Sequence, residues 1–353
     1  MERLPLICKK VEIEYQRLTN QPSTSNNNDL IVFKKSELAK ATNNFGPSNR
    51  IGEDESGSLY KGVIKSKQHA GHGKMINVAV RKLTATFFRA KHEEWINEIN
   101  AMGNIKHPNL VKLIGYCAED GEKGISRFLV HEFLCNGSVY DHLHNPFHQT
   151  LPWARRLRIA RDVAHGLQYL HEQVEVEIVY RVFKSSIVLL DEEWNAQLSD
   201  FVLARLGPFP CSHPVNEAVV DLEHFIGWKP MKFINNGRLT RKDDIWSYGV
   251  FILELITGRR THIKRRPLSE GHIVELVRPH LSDSKNFHYI MDPRLEGQYS
   301  FESAWELAAL GNLCLAEDSG KRPSMSEVSA IMDKIVEAAS DTKKHRLHRE
   351  RQG

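Results

Sequence analysis

The sequence predicts an α+β protein of two lobes, a small β-rich one followed by a large helical one. Two observations predict it. Leu59–Ile64 and Ile76–Leu83 are rich in strand-forming residues, whereas beyond about residue 136 the apolar residues recur at helical spacing. Strands gathered in the first part and helices in the second favour segregated layers over a uniformly wound sheet.

Taken in order, residues 1–32 read as a flexible extension. Gln21-Pro-Ser-Thr-Ser-Asn-Asn-Asn28 within it is polar and has nothing to bury. A helix is expected next, capped by Ser36, with Leu38, Ala41 and Phe45 near helical spacing and Gly46-Pro47 as its stop. The two strands follow, joined by the polar run Lys65–Lys74. His69 and His72 in that run have no Cys or acid beside them, so a solvated loop is favoured over a metal site. Trp153–His171 carries the stripe Leu157, Ala160, Val163, Ala164, Leu167 and Leu170, and Ser247–Thr257, Ser303–Cys314 and Met325–Ile335 read similarly. The folded region is expected over 33–338, with a first lobe at about 45–131 and a second at about 135–338. A basic tail at 339–353 is read as a solvated end.

Composition narrows the function classes. Of 353 residues 41% are hydrophobic and 26% charged, enough apolar matter for a core. The net charge of +4 is too small to argue for nucleic acid. Cys8, Cys117, Cys135, Cys211 and Cys314 are odd in number and scattered, which suits reduced thiols. No apolar run reaches the roughly 18 residues of a membrane helix, and Gly249–Ile256 is broken by Glu254. No secretion signal is read at the start, and Glu2 stands where myristoylation needs glycine. Cys8 beside Lys9 and Lys10 reads as an exposed thiol, with acylation as the alternative.

The order of motifs is more specific. Gly52 leads to Gly57, then come Val78-Ala-Val-Arg81, Glu98, His107-Pro-Asn-Leu-Val-Lys-Leu-Ile-Gly115, Tyr180-Arg-Val-Phe-Lys184, Asp200-Phe-Val202, Asp244-Ile-Trp-Ser-Tyr-Gly249 and Arg322-Pro323. Eight such motifs in series resemble the protein kinase set. Phe33–Phe45, the loop before Val78 and Met291–Tyr299 look most like plant receptor-like cytoplasmic kinases of subfamily VII. The resemblance covers about residues 33–338 and implies the bilobal protein kinase fold.

The resemblance also implies a site, which the residues fill unevenly. Nucleotide positions fall at Gly52, Gly57, Leu59, Ala79, Arg81, Glu98, Glu132, Leu134 and Leu189. The phosphate loop reads Gly52-Glu-Asp-Glu-Ser-Gly57, with Asp54 where the family has its middle glycine. Each of its acids at about 4 Å from a phosphate costs roughly 1–4 kcal/mol. Arg81 replaces the family's Lys and keeps the charge. Lys82 is expected to point to the other face of its strand. Val182 stands at the base position, where no lone pair can accept a proton. Ile187 stands at a metal-ligand position, where Mg²⁺ requires oxygen. Lys184 and the metal-binding Asp200 are kept, and Val202 replaces a hinge glycine.

The activation segment has Val219 and Val220 at phosphorylatable positions, Phe225 at a substrate-contacting Thr, and Pro230-Met-Lys232 for Ala-Pro-Glu. The resemblance implies a Glu paired with Arg322 where Lys232 stands; Lys232 would repel Arg322, so either the segment settles differently or another acid such as Glu223 serves, and Asp221 or Glu223 is the candidate to replace a phosphate beside Arg181. Packing positions remain: Met102, Leu113, Tyr180 and Phe201 match the stack linking the lobes, and Asp244 the acid bracing the catalytic loop.

The expectation is therefore a pseudokinase, not an enzyme, that requires no cofactor and binds ATP and Mg²⁺ at most weakly. The resemblance implies partners among receptor kinases, active cytoplasmic kinases or immune receptors in a plant. No nucleic acid is expected. The location implied is cytoplasmic, with the inner face of the plasma membrane reached only through partners. The alternative is an atypical serine/threonine kinase with residual ATP-dependent phosphotransfer.

Overall fold

A computed structural model describes residues 30–54, 57–65, 74–84, 95–96, 99–100, 102–103, 105–121, 124–175, 177–180, 183–201, 205–206, 240–261, 272–281 and 284–350. The chain divides into two units, Met1–Lys106 with Leu110–Leu134 and His107–Asn109 with Cys135–Gly353.

The first unit is built on strands β1 (Ile31–Val32), β2 (Arg50–Asp54), β3 (Gly57–Lys65), β4 (Met75–Leu83), β5 (Leu113–Gly121) and β6 (Gly124–Glu132). They form one sheet in the order β1-β5-β6-β4-β3-β2, antiparallel except for β1 on β5. The pleat sorts the side chains. Tyr60, Ile64, Val78 and Val80 are buried, and the last three join Phe33, Leu38, Cys117, Phe128 and Val130 in a core on one face. Helix α1 (Lys35–Ala41) covers that face through Leu38.

α1 differs from expectation at both ends. Its cap is Lys34, whose N–H donates to the Glu37 carboxylate at 2.8 Å, so the helix begins before Ser36. It stops at Ala41, ahead of Gly46, where the Thr42 hydroxyl donates back to Leu38 and Asn43, Asn44 and Phe45 turn left-handed. That turn sets the Phe45 ring against Tyr60 and Phe128, at 5.4 and 5.3 Å. Residues 95, 96, 99 and 102 are helical and buried.

The second unit carries α2 (Val139–His144), α3 (Trp153–Gln168), β7 (Ile178–Val179), β8 (Val188–Leu190), β9 (Ala196–Leu198), β10 (Arg205–Leu206), α4 (Arg241–Thr257), α5 (Ile273–Val277), α6 (Phe301–Cys314) and α7 (Met325–Glu350). The predicted stripe of α3 is buried throughout, with Leu170 on a π-helical turn beyond its end. α4 is buried on all sides, which an apolar circumference requires. It ends at Gly258, whose φ of 63° is one glycine adopts without strain. Pairs β7–β10 and β8–β9 are antiparallel. Arg156 is fully buried and held by Leu151 O, Leu255 O and the Asp292 carboxylate, the last at 2.6 Å. The α+β fold expected from the sequence is the one observed. Among the described residues no helix is long and apolar enough to cross a membrane.

Candidate functional site

The expected site residues are distributed over both units, and each group is built by its own local structure. In the first unit the β3–β4 register sets Leu59 opposite Arg81 and Lys61 opposite Ala79, and β2 sets Gly52 opposite Leu59. Leu59, Ala79 and Arg81 thereby share the face opposite the core and are half-buried. Lys82 points the other way, its ammonium 5.3 Å from the Phe45 ring, as the pleat requires. Gly57 has φ +155°, and a Cβ there would lie 2.0 Å from Lys82 O. Leu134 is half-buried. Glu132 accepts from Lys112 N at 2.7 Å and so braces its own sheet.

Two acids of the phosphate loop, Glu53 and Asp54, are engaged at close range, and Glu55 lies outside the described residues. Glu53 pairs with Arg50 at 2.8 Å and accepts from the Ser58 hydroxyl at 3.1 Å. Asp54 accepts from Arg81 at 2.8 Å and from Gly57 N at 3.1 Å. Sequence reasoning foresaw charges repelling phosphate. It missed these pairs, although Arg50 three residues before Glu53 was a readable signal.

In the second unit a chain of contacts positions Asp200. The Asp244 carboxylate, fully buried on α4, accepts from Tyr180 N at 2.7 Å and faces His171 Nε2 at 3.0 Å. Tyr180 in turn donates its hydroxyl to Ser199 O and sets its ring 5.2 Å from Phe201. Ser199 donates both its N–H (3.0 Å) and its hydroxyl (2.8 Å) to Ile187 O. The peptide before Asp200 is thus clamped on both sides. Asp200 adopts φ +64°, a region that Asp tolerates better than most residues. Ile187 is buried on the short turn Ser185–Ile187, and Lys184, half-buried, precedes that turn. Leu189 is half-buried and bridges to Ser138.

Several expectations fall outside the described residues: Glu98, Arg181, Val182, Val202 and the activation segment with Val219, Val220, Asp221, Glu223, Phe225 and Pro230–Lys232. Arg322 is described, and the acid it meets is Asp243, at 3.8 Å, one residue before the bracing Asp244. Carbonyls of Lys242 and Ala316 and the face of Trp246 complete its surroundings.

Elsewhere, burial pushes the Cys117 thiol up to about 11 and the Cys314 thiol up to about 12, so both stay protonated and inert. Buried Glu254 faces His144 at 3.2 Å, and burial raises its pKa.

Protein kinases draw phosphate from ATP with Mg²⁺. The residues present suit that group in part. Leu59 and Ala79 offer apolar surface, Arg81 a cation and Asp200 one oxygen donor. Ile187 offers carbon. No cluster of three or more His, Cys, Asp or Glu able to hold a metal occurs among the described residues. Mg²⁺ would accordingly rest on Asp200 together with phosphates and water, a coordination this ion commonly takes.

Comparison with known proteins agrees with the fold. Residues 47–332 match the family described as protein tyrosine and serine/threonine kinase. The chain is 47% identical over 324 residues to the serine/threonine-protein kinase PCRK2 of Arabidopsis thaliana, covering 92% of this chain and 76% of that protein. It is 46% identical over 319 residues to PCRK1 of the same plant, covering 90% and 75%. To the serine/threonine-protein kinase PBL36 it is 43% identical over 303 residues, covering 85% of this chain and 61% of that one.

These relatives overturn the expectation of a non-enzyme, for all three are kinases by name. The physical reason lies in how the missing groups were weighed. A positioned base contributes about 10²–10⁴-fold, whereas phosphoryl transfer rests mostly on positioning and electrostatics. The absence of a base at Val182 is therefore not by itself a ground for excluding the reaction. The chain belongs to the protein tyrosine and serine/threonine kinase family and, within it, to the receptor-like cytoplasmic kinases that include PCRK1 and PCRK2.

Proposed function

We propose that this chain is an atypical serine/threonine kinase with slow ATP-dependent phosphotransfer, acting in cytosolic receptor or immune signalling of a plant. The observation that carries the reading is Asp200, kept in sequence directly after Ser199, which Tyr180 and Ile187 hold. The names of the relatives at 46–47% identity support it.

Bound ATP with Mg²⁺ would supply the phosphoryl group and neutralise charge during its transfer. Arg81 would hold phosphate oxygens, Asp200 the metal, and Leu59, Ala79 and Leu189 the apolar ring. Lys184 would stabilise charge near the acceptor. Val182 accepts no proton, so the acceptor hydroxyl loses its proton to solvent, and the rate falls accordingly.

The test is incubation of the full chain with labelled ATP, Mg²⁺ and a general protein substrate, beside Asp200→Ala. Slow incorporation that Asp200→Ala abolishes is expected. Equal incorporation by both, or none by either, overturns the reading.

A second role rests on the same residues. Carbon at 182 and 187 beside an intact packing frame favours a protein whose binding to receptor kinases, active cytoplasmic kinases or immune receptors matters alongside its turnover. Co-precipitation with such a partner that Asp200→Ala leaves undiminished is the expected result. Loss of capture in that variant would remove this role.

A further inference from the structure

Asp54 and Arg81 are 27 residues apart in sequence and meet at 2.8 Å. The same carboxylate receives the N–H of Gly57 at 3.1 Å through its other oxygen. One anion is therefore held between a guanidinium and a backbone N–H at the mouth of the β2–β3 hairpin. Those two donors are the kind that a phosphate recruits, a planar cation for charge-assisted bonds and a glycine N–H for close approach. The side chains differ in access. Arg81 is 13% exposed and Asp54 49%, so water reaches the carboxylate more readily than the guanidinium.

We propose that Asp54 is a built-in phosphate mimic, an autoinhibitory latch that occupies the anion position of the β2–β3 loop and must leave before nucleotide phosphates engage Arg81. This rests on the reading that nucleotide binds at this face. Glu53, one residue earlier, is turned instead to Arg50 and Ser58. Its charge is near but takes no part in the latch. The latch opposes only ligands that bring phosphate, and adenosine, which has the ring alone, does not compete with it.

The test measures binding of ATP with Mg²⁺, and of adenosine, to the full chain by calorimetry. The unmodified protein, Asp54→Asn and Glu53→Gln are compared. Asp54→Asn keeps an acceptor for Gly57 N–H and removes the charge. Expected is ATP binding about five- to tenfold tighter in Asp54→Asn, from the lost competing ion pair and lost repulsion. Adenosine affinity is expected unchanged, and Glu53→Gln within about twofold of the unmodified chain. Unchanged ATP affinity in Asp54→Asn beside normal adenosine binding overturns the latch and leaves nucleotide binding standing. Equal tightening by Glu53→Gln overturns it too, because bulk acidity would then suffice. Absence of binding by any form to either ligand overturns the nucleotide reading and the latch together.

Discussion

Two carboxylate–guanidinium pairs, one in each unit, share chemistry and differ in surroundings. Arg81 meets Asp54 at 2.8 Å with side-chain exposures of 13% and 49%. Arg156 meets Asp292 at 2.6 Å with exposures of 0% and 2%. Water competes for the first pair and not for the second. The exposed pair is weak and exchangeable, which suits a site where an incoming anion must replace one partner. The buried pair ties α3 to the segment after α5; loss of Asp292 would strand the Arg156 charge, and loss of Arg156 would leave Asp292 only Arg294, at 2.8 Å.

The largest break in this comparison is Arg156→Met. It leaves Asp292 buried with Arg294 alone, and the expected loss is about 3–5 kcal/mol of unfolding free energy, read by urea denaturation. A result below about 1 kcal/mol would show that the pair is not the structural element its burial implies.

Acid is the second probe. Burial alone would raise the pKa of Asp292, but hydrogen bonds from Arg294 and the charge of Arg156 outweigh it and hold the carboxyl below its usual value. A depressed folded pKa contributes stability above the unfolded value of about 4, and that stability is lost as pH falls through the lower folded value. The unmodified protein should therefore lose more stability between pH 5 and the acid limit than Arg156→Met does. Comparing the two cancels the opposite contribution of Glu254, whose burial raises its pKa. Parallel pH profiles would refute the linkage.

The smallest expected effect belongs to the exposed pair. Asp54→Asn should change unfolding free energy by less than about 1 kcal/mol, by the same denaturation measurement. A larger loss would make Asp54 a structural residue and not an exchangeable one.

How much was legible follows from the same distinction. The pleat of β4 could be read from alternation, so the opposite course of Lys82 was foreseen, whereas the register that sets Leu59 opposite Arg81 was not. The burial of α3 followed from its stripe. The start of α1 was misplaced because Lys34 is not a favoured cap and Glu37 supplied the acceptor instead. The enzyme question was misjudged because the missing atoms at 182 and 187 were weighed as decisive, whereas phosphoryl transfer rests mostly on positioning and electrostatics.

The order of motifs, the periods of strands and helices and the kind of atom at each site position were determined by the sequence alone, because they are properties of single residues and near neighbours. Which acid meets Arg81, which meets Arg322 and what holds the peptide before Asp200 were decided only in the tertiary structure. An ion pair is a matter of ångströms, and the partners of these groups come from strands and helices brought together by burial of apolar faces elsewhere.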